Sequence, residues 1–515
     1  MPVPAAHIHA RAPAFLHAVI LALVTMLSGC GGGGSPDGSA GSPDGGSSGT
    51  PSPTLISMDS TYQLEIVNAS SGESLSVAGE SQVAGAAIDT AAADGSSAQR
   101  WHVMPMASGQ YNVENLLTHQ LVGVANASTS AGASVVQWAD NGTNDHLWSF
   151  YGLSDGNDLI ENINSGLYLQ SDASGNVSQG ARDGSSALQE WKITTTTDPA
   201  YPMPKAVSGS GIYVHDPDML QDTAGVFWLY GTHDTLASSP DGVTFSAVST
   251  GDISPDFSWW ASENTTGTSG RTDIWAPDVM YVNGTYYQYY AVPIYSTPSV
   301  VDTNQSAAVI ALATSSSPNG PWTDAGKVIS SCGAAPGCTT TFNAIDPAPY
   351  IDTAGHWWLT FGSWHDGIHV LQLDPATGLR LASNTTLFNI AQRSAGEEGS
   401  FIFPFTVGGT QYFYYFASIN LCCQGVNSTY RIIVGRSSRP TGPFYDRGGL
   451  DLMNGGGTIL LSTHGTIYGP GGQGVLLVGS QPVLIYHYYD GTNGGTPTLG
   501  LNDLTFDSDG WPHAQ

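Results

Sequence analysis

Five short phrases recur through residues 207–515, and their spacing is the feature that most limits how this chain can fold. The phrases begin at Asp216, Ala276, Asp346, Glu398 and Gly472, at intervals of 60, 70, 52 and 74 residues. Most of them run through a glycine turn into a second apolar strand, as in residues 225–230. Each unit is long enough for a four-stranded blade, and five such units close into a β-propeller.

The register of these phrases places acidic residues together. If the phrases are equivalent, their first residues share the mouth end of the innermost strands, so that Asp216, Asp346 and Glu398 converge on one axis. A lone Asp at a strand end usually caps a turn, but three carboxylates at one register position of separate repeats indicate a site. Carboxylates in one funnel push their pKa values apart, which separates an acid from a base and favours glycoside hydrolysis.

A second, threefold repeat covers residues 56–197. Its tripeptides end in Trp101, Trp148 and Trp191, at intervals of 47 and 43 residues. Each tripeptide follows a similar strand phrase that contains an asparagine. Three units of roughly 40–45 residues, each with short strands and one buried Trp, predict a pseudo-threefold barrel.

The tripeptides Gln99-Arg100-Trp101 and Gln189-Glu190-Trp191 resemble the signature of ricin-type β-trefoil lectins, which also occur as modules attached to glycosidases. The resemblance implies a carbohydrate-binding domain over residues 56–197. In that family a polar residue near the signature contacts the sugar, and Asn141 matches this position. The early Asp of the second repeat is replaced by Gly123, so which repeats bind sugar stays open.

Composition agrees with an all-β fold and excludes some partners. The chain is rich in glycine and aromatic residues, with 64 Gly, 23 Tyr and 13 Trp, which favours strands and tight turns over long helices. Only 13 Lys and Arg oppose 42 Asp and Glu, giving a formal net charge of −29. This balance argues against nucleic acid and anionic membrane surfaces as partners, because both need clustered cations.

The first 30 residues predict an export signal, with an apolar run over 14–26 that is too short to span a bilayer. The run ends in Leu27-Ser28-Gly29-Cys30, which resembles a bacterial lipobox and implies a lipid on Cys30. Residues 31–55 form a Gly/Ser/Pro-rich linker that is expected to act as a flexible tether. We expect an exported protein, anchored by this lipid in the outer membrane or at the cell surface, with simple secretion as the alternative.

Several phrases of residues 207–515 resemble glycoside hydrolase family 43, the five-bladed propellers of arabinanases, arabinofuranosidases and xylosidases. The phrases at 215–218, 274–278, 343–347, 421–430 and 486–490 resemble endo-α-1,5-L-arabinanases in particular. The resemblance implies that Asp216 is the general base and Glu398 the general acid of an inverting hydrolysis. Asp346 then raises the pKa of the acid and orients it.

The same resemblance suggests substrate contacts. Trp275 would stack on a sugar face, with a core Trp as the alternative, while Asn343 and Ser363 would contact hydroxyl groups. Asp218 and Glu397 are the rival carboxylates. Asp218 lies deeper along the same strand face, and Glu397 precedes the repeat register, so both rank below the chosen residues.

One departure concerns a metal ion. Many arabinanases have Gly-Pro-Gly-His-Asn in the fifth blade, with the His beside an axial calcium, whereas this chain has Gly469-Pro470-Gly471-Gly472-Gln473. No cofactor is required by the proposed chemistry and no metal ligands are assigned. The sequence leaves a structural calcium open, with His464 or His487 as residues that could approach the axis.

The four cysteines other than Cys30 allow three pairings. Local bonds, Cys332 with Cys338 and Cys422 with Cys423, are one of these.

The predicted partner is plant cell-wall polysaccharide, arabinan or arabinoxylan, and we expect a monomer. An exo-acting arabinofuranosidase or β-xylosidase would use the same carboxylates, because the difference lies in loops at the groove ends. A non-catalytic polysaccharide-binding lipoprotein is a further alternative, but it would tolerate a lost carboxylate and all three positions are filled.

Overall fold

The computed structural model describes residues 52–107, 109–249, 273–293, 307–332 and 338–515. These residues form strands and a few short 3₁₀ helices, which confirms the predicted all-β class with a β-trefoil followed by a five-bladed propeller. The predicted export signal, Cys30 and nearly all of the linker lie outside the described residues. Within the described ranges, no helix is both long enough and apolar enough to cross a bilayer.

The trefoil is a 13-stranded antiparallel sheet system. Its strands are β1 Thr54–Leu55, β2 Tyr62–Asn68, β3 Ser74–Val77, β4 Ile88–Ala91, β5 Trp101–Pro105, β6 Tyr111–Asn115, β7 Leu121–Val124, β8 Val135–Trp138, β9 Trp148–Gly152, β10 Asp158–Asn162, β11 Tyr168–Ser171, β12 Val177–Gly180 and β13 Trp191–Pro199. Its 3₁₀ helices are Ala78–Glu80, Ser97–Gln99, Ala125–Ala127, Asn144–His146 and Ala187–Gln189.

The threefold repeat is built from one tryptophan per unit. Trp101, Trp148 and Trp191 are fully buried. Each is the second residue after the end of a 3₁₀ helix. Their indole N–H groups donate to the backbone oxygens of Leu75, Val122 and Leu169 at 3.1, 2.9 and 3.0 Å. The repeated Trp therefore supplies both apolar burial and a satisfied polar group in each unit.

The asparagines of the repeated strand phrases explain how one unit joins the next. The side-chain amides of Asn68, Asn115 and Asn162 donate to backbone oxygens of the 3₁₀ helix segments at 3.0, 2.9 and 2.8 Å. Their Oδ1 atoms accept backbone N–H groups of the turns that follow. All three are fully buried, so the phrase encodes a turn and a cross-connection at once.

The propeller consists of five four-stranded antiparallel sheets. Blade 1 is β14 Asp218–Gln221, β15 Phe227–Gly231, β16 Thr235–Ser239 and β17 Ser246–Ala247; blade 2 is β18 Trp275–Val282, β19 Thr285–Pro293, β20 Ala307–Ser315 and β21 Thr323–Cys332; blade 3 is β22 Ala348–Ile351, β23 Trp357–Phe361, β24 Ile368–Leu373 and β25 Phe388–Ala391; blade 4 is β26 Glu397–Val407, β27 Thr410–Ile419, β28 Arg431–Ser437 and β29 Thr458–Leu461; blade 5 is β30 Ile467–Val478, β31 Gln481–Asp490, β32 Thr496–Phe506 and β33 Pro512–Ala514. Its 3₁₀ helices are Gly425–Asn427, Leu452–Asn454 and Gly491–Asn493.

The five blades repeat one backbone feature at the mouth. Just before or within each innermost strand, one residue has a left-handed φ; these residues are Asp216 (48°), Ala276 (41°), Asp346 (54°), Gly399 (61°) and Gly472 (58°). The first three are non-glycine residues in a costly conformation. Backbone strain of this kind is common at functional sites, where the surrounding structure enforces it.

This feature corrects the predicted register in blade 4. The left-handed position there is Gly399, and Glu398 lies one residue earlier in β26. Glycine is the residue that adopts this conformation without steric cost. The sequence comparison aligned the carboxylates and was therefore wrong by one residue, although Glu398 still approaches the same funnel.

The cysteines pair locally, as Cys332–Cys338 and Cys422–Cys423. This is the local pairing among the three that the sequence allowed.

The trefoil packs on the propeller around Glu114, a fully buried carboxylate of β6. Its oxygens contact His102 Nδ1 at 3.1 Å and His119 Nδ1 at 2.9 Å, and accept the hydroxyl of Tyr201 at 2.5 Å. Burial alone would raise the pKa of Glu114, but the hydrogen bonds from the two histidines outweigh it and lower the pKa to about 2. Tyr201 follows the last trefoil strand and packs in the core cluster of blades 3–5, so this contact fixes the two domains together.

Candidate active site

The mouth of the propeller is a funnel to which every blade contributes three consecutive residues. The lining runs are 216–218, 276–278, 346–348, 399–401 and 472–474. Asp216 and Asp346 belong to this lining, and Glu398 is close enough to interact electrostatically with both. The structure therefore brings the three predicted carboxylates together.

Asp216 is held by three neighbours. Its Oδ2 contacts His215 Nδ1 at 2.8 Å and accepts the Thr232 hydroxyl at 2.7 Å, and its backbone N–H donates to His487 Nδ1 at 3.1 Å. Burial would raise the pKa of Asp216, but the neighbouring His215 and the Thr232 hydrogen bond outweigh burial and hold it well below the usual range. Asp216 is therefore ionised, with Oδ1 left free of these hydrogen bonds.

His215 links the funnel to a loop of blade 4. Its Nε2 lies 3.0 Å from the hydroxyl of Tyr489, which accepts the backbone N–H of Cys423 at 2.7 Å. Burial disfavours the charged ring, but the Asp216 carboxylate overcomes burial and raises the pKa of His215. A charged or partly charged His215 stabilises the ionised form of Asp216.

Glu398 has the opposite electrostatic environment. Its Oε2 accepts the hydroxyl of Ser363 at 2.7 Å, and the Trp364 side chain provides a further hydrogen bond. These bonds favour the carboxylate, but burial and the charge of Asp216 prevail and raise the pKa of Glu398 to about 7. Glu398 is thus able to keep a proton near neutral pH while Asp216 is ionised.

Asp346 lies between them in blade 3. Its Oδ2 accepts the backbone N–H of Gly399, the residue after Glu398, at 2.9 Å. Burial and the charges of Glu398 and Asp216 raise the pKa of Asp346 well above its usual range. A protonated Asp346 carries no charge toward Glu398, and its bond to Gly399 fixes the backbone beside the acid.

The rival carboxylates occupy other positions. Asp218 and Asp278 lie deeper in the funnel and are buried; burial raises the pKa of Asp218 to about 7, and burial together with Asp218 raises that of Asp278 well above the usual value. Glu397 is buried and accepts the hydroxyl of Tyr415, and its pKa responds to burial, Arg393 and Tyr415, whereas that of Glu398 responds to Asp216. None of these three carboxylates takes the place assigned to Asp216 or Glu398.

The predicted substrate contacts have mixed outcomes. Trp275 packs beside the core cluster of blades 2 and 3 and donates its indole N–H to Asp273 at 2.9 Å. Asn343 is buried, and its Oδ1 has no hydrogen-bond partner within the described part of the chain, which suits a substrate hydroxyl. Ser363 is almost fully buried and bonds to Glu398, and its contact with a substrate hydroxyl stays a prediction.

Sequence reasoning missed several residues of this site. Trp364, 37% exposed, is the aromatic surface nearest Glu398, and it covers Gly396, where a Cβ would lie 2.5 Å from its ring. Thr232 and Tyr489 complete the support of Asp216 and His215. Tyr489 belongs to a quoted family-like phrase, but no local signal identifies Thr232 or Trp364.

The residues beside Asp216 do not fit a calcium ion. The ligand atoms of His215, Asp216 and His487 lie within 4.8 Å of one another, but two of the three are imidazoles and calcium prefers oxygen ligands. The backbone N–H of Asp216 donates to His487 Nδ1, which places this ring's proton on Nε2. A Cβ at Gly472 would lie 2.7 Å from Asp216 Oδ1 and 2.8 Å from His487 Nδ1, so a histidine cannot occupy position 472 without displacing both.

The other histidine considered for the axis, His464, instead contacts the backbone oxygens of Ser462 and Pro202 at 2.7 and 3.1 Å.

The predicted sugar contact in the trefoil, Asn141, lies beside the propeller. Its Oδ1 accepts the backbone N–H of Thr143 at 3.0 Å, and the adjacent Asp140 pairs with Arg431 of blade 4. In the same repeat, a Cβ at Gly123 would lie 2.1 Å from His146, so His146 fills the space above the missing Asp. Sugar binding at Asn141 stays a prediction.

Two family profiles match the chain. Glycosyl hydrolases family 43 matches residues 211–512. The ricin-type beta-trefoil lectin domain-like family matches residues 55–138, which covers the first two trefoil repeats.

Similar proteins of known name match the propeller region. The extracellular endo-alpha-(1->5)-L-arabinanase 1 of Bacillus subtilis (strain 168) is 36% identical over 305 residues, which is 58% of this chain and 87% of that protein. Arabinan endo-1,5-alpha-L-arabinosidase A of Aspergillus niger is 35% identical over 328 residues, 61% of this chain and 94% of that protein.

Solved structures agree with these relatives. The GH43 endo-arabinanase from Bacillus licheniformis superposes with a TM-score of 0.51 at 34% identity, covering 60% of this chain and 99% of that one. An exo-1,5-alpha-L-arabinanase from a bovine ruminal metagenomic library gives a TM-score of 0.51 at 32% identity, covering 59% and 96%. Similarity alone therefore does not separate endo from exo action.

Proposed function

The chain belongs to glycosyl hydrolase family 43, and on that basis we propose that it is an inverting endo-hydrolase of α-1,5-arabinofuranosidic bonds in plant arabinan. The observation that carries the proposal is the contrast between two carboxylates of one funnel. His215 and the Thr232 hydrogen bond hold the pKa of Asp216 low, while burial raises that of Glu398 to about 7. This contrast supplies a base and an acid at the same pH.

In the proposed reaction Asp216 is the general base. Its Oδ2 is held by His215 and Thr232, so Oδ1 receives the proton of the attacking water. The missing side chain of Gly472 leaves space at this oxygen, because a Cβ there would lie 2.7 Å from it. His215 and Thr232 keep the carboxylate oriented while the water attacks the anomeric carbon.

Glu398 is the general acid and protonates the departing glycosidic oxygen. Ser363 fixes its Oε2, and Asp346 holds the next peptide through Gly399. After one turnover the base carries the proton from water and the acid is ionised, so solvent exchange restores both. The scheme needs no metal ion or organic cofactor.

The stereochemical part of the proposal is tested on the first-formed product. A single displacement by water gives a sugar of inverted anomeric configuration, whereas a covalent intermediate retains it. Early-time proton NMR on a linear arabino-oligosaccharide distinguishes the two before mutarotation. A product of retained configuration would show that a carboxylate acts as a nucleophile, and the role of Asp216 as general base would then be rejected.

Endo action is tested by product sizes from linear arabinan in the first minutes. Endo cleavage releases mixed oligosaccharides and quickly lowers viscosity, whereas an exo enzyme releases one small sugar. One observation favours the exo alternative: an exo-arabinanase structure aligns with this chain as well as an endo-arabinanase structure does. A non-catalytic protein would release nothing.

Export and anchoring are also proposed. The relative from Bacillus subtilis is named extracellular, and residues 1–30 of this chain carry an apolar run ending at Cys30. A lipid on Cys30 would hold the enzyme at the membrane while its substrate, a polymer, stays outside. Mass spectrometry of the mature N-terminus tests this: a diacylated Cys30 supports the anchor, and a free thiol in a soluble protein supports plain secretion.

A further inference from the structure

The loop that joins β27 to β28 connects the trefoil with the general base. This loop, residues 420–430, is called the disulfide loop here because it carries the Cys422–Cys423 bond. Asn420, its first residue, and Arg431, the residue that follows its last, stand at the two ends of the loop at the base of the hairpin, where Ile419 pairs with Arg431. Both ends are held by one trefoil residue, Asp140.

The contact at the base of the loop is buried and charged. Asp140 Oδ2 lies 3.0 Å from Arg431 Nη1, with 4% and 2% of the two side chains exposed. The side-chain amide of Asn420 donates to the same oxygen at 3.1 Å. Arg431 Nη2 also donates to Asn112 Oδ1 of the trefoil at 3.0 Å. A buried charge pair of this kind is specific in position, because either charge left alone is costly.

The trefoil also touches the chain that leads into the acid strand. A Cβ at Gly142 would lie 2.1 Å from the Cβ of Ala395, which is three residues before Glu398. Arg393 interacts electrostatically with both Asp140 and Glu397. The second trefoil repeat thus packs against two segments of blade 4, the base of the disulfide loop and the chain just before β26.

The tip of the disulfide loop reaches the base. The backbone N–H of Cys423 donates to the Tyr489 hydroxyl at 2.7 Å, and that hydroxyl lies 3.0 Å from His215 Nε2. Cys423 Sγ itself lies 3.7 Å from the same nitrogen. On its other side, His215 Nδ1 contacts Asp216 at 2.8 Å.

We propose that Asp140 is a positioning residue for the general base, and that the trefoil is a structural part of the active site as well as a binding module. Asp140 fixes both ends of the disulfide loop, the loop fixes Tyr489 and His215, and His215 orients and stabilises the ionised Asp216. The inference rests on the proposed function for Asp216. It also explains why the second repeat lacks the early Asp of a sugar site, since that repeat faces the propeller.

Loss of this support has a directional consequence. If the loop shifts, His215 loses the partner at Nε2 and its alignment with Asp216. The pKa of Asp216 then rises, so the base is protonated at a higher pH and the acidic limb of the kcat/KM profile moves upward. A misplacement of about 1 Å costs up to roughly 100-fold in rate.

The test uses the full-length enzyme with a soluble linear arabino-oligosaccharide, so that adhesion to a solid substrate plays no part. Asp140→Asn keeps the shape of the side chain and removes its charge. Asn420→Gly removes only the bond to Asp140, and it suits a residue with φ of 71°. We expect each to lower kcat/KM by about 10- to 100-fold and to move the acidic limb upward, with thermal unfolding confirming that the variants are folded.

Asp198→Asn is the matched control, because Asp198 is exposed in the trefoil and its hydrogen bonds within the described ranges are made by its backbone atoms. It should keep the wild-type rate and pH profile. Folded Asp140→Asn and Asn420→Gly enzymes with wild-type kcat/KM and an unmoved acidic limb would overturn the inference.

A second readout does not depend on activity. The imidazole of His215 is titrated by NMR in the wild type and in Asp140→Asn, with His215→Gln used to assign its signal. We expect its pKa to change in the variant, and an unchanged titration would overturn the inference. Failure of the proposed function looks different, because the wild type itself would then not cleave arabinan.

Discussion

The trefoil and the propeller are both built by repetition, but they treat the repeated position in opposite ways. In the trefoil, Trp101, Trp148 and Trp191 keep the same side chain, the same burial and the same hydrogen bond to a backbone oxygen. In the propeller, five positions keep the same left-handed φ while their side chains differ, from Asp216 to Gly472. The trefoil thus repeats one side chain with its contacts, whereas the propeller repeats a backbone conformation with different side chains.

This difference shows where stability and function reside. A repeated buried residue contributes to packing in each unit, and no unit is singled out. A repeated backbone position with variable side chains allows one blade to supply a base, a second to supply a supporting Asp and a third to leave space. Substitutions in the trefoil repeat should therefore reduce stability, and substitutions in the funnel should reduce rate.

The largest effect is expected at the acid. Glu398→Gln keeps the shape and the acceptor for Ser363 but cannot donate the proton, so kcat on arabinan should fall by about 10²–10⁴-fold. Substrates with a good leaving group need little protonation and should retain much of their rate. Stability should change little, and steady-state kinetics with both substrate types measures the contrast.

Glu397→Gln is the control for this variant, since it makes the same change one residue earlier. Glu397 bonds to Tyr415, and the amide retains an oxygen for that bond. If Glu397→Gln lost the activity and Glu398→Gln kept it on both substrates, the assignment of the acid would be reversed.

On the trefoil side, Trp101→Ala should lower the free energy of unfolding by about 3–5 kcal/mol, because it removes a fully buried ring. Trp101→Phe keeps most of the apolar volume but leaves Leu75 O without its donor, at a cost of about 1–3 kcal/mol. Denaturant unfolding measures both, with kcat of the folded enzyme near the wild-type value. A rate loss without a stability loss would show that the repeated Trp positions contribute more than packing.

The same contrast explains how much could be predicted from sequence. Repeated residues are visible, so the three trefoil units and the five blades followed from spacing alone. A repeated φ is visible only through the residues that adopt it. With Glu397, Glu398 and Gly399 in succession, the comparison aligned a carboxylate, and the structure places the glycine at that position.

Contacts across the fold were not predictable at all. The bond between Asn420 and Asp140 joins residues 280 positions apart, and neither lies in a recognisable motif for docking. Ser363 was singled out as a contact for a sugar hydroxyl, and the structure shows a bond to Glu398 that was not predicted, because the sequence does not show which way a buried hydroxyl points. Asp216 and Asp346 were found because they stand at the repeated position, and Glu398 was found because it lies only one residue before that position in blade 4.

A smaller effect is expected from the hydrogen bond to the acid. The acid must be protonated to act, so kcat/KM should fall as pH rises through the pKa of Glu398, about 7. Ser363→Ala removes a bond that favours the carboxylate, which raises this pKa and moves the basic limb to higher pH. Thr360→Val is the control, because Thr360 contacts Ser400, and it should leave the limb in place. A limb that moved to lower pH would contradict this orientation of Ser363.

The smallest effect is expected from metal removal, where the propeller departs from its family pattern. Gly472 stands where many arabinanases have a histidine, and the space beside Asp216 is taken by His487, whose Nδ1 already accepts the Asp216 N–H. Burial and the neighbouring His215 hold the pKa of His487 well below its usual range, so the ring is neutral and its role here is to orient the base. We therefore expect dialysis against EDTA to leave kcat/KM and the thermal midpoint unchanged within experimental error, and added Ca²⁺ to have no effect. A loss of activity that calcium restores would show that oxygen ligands elsewhere in the funnel, with Asp218 and Asp278 as the first to substitute, hold an ion that the site needs.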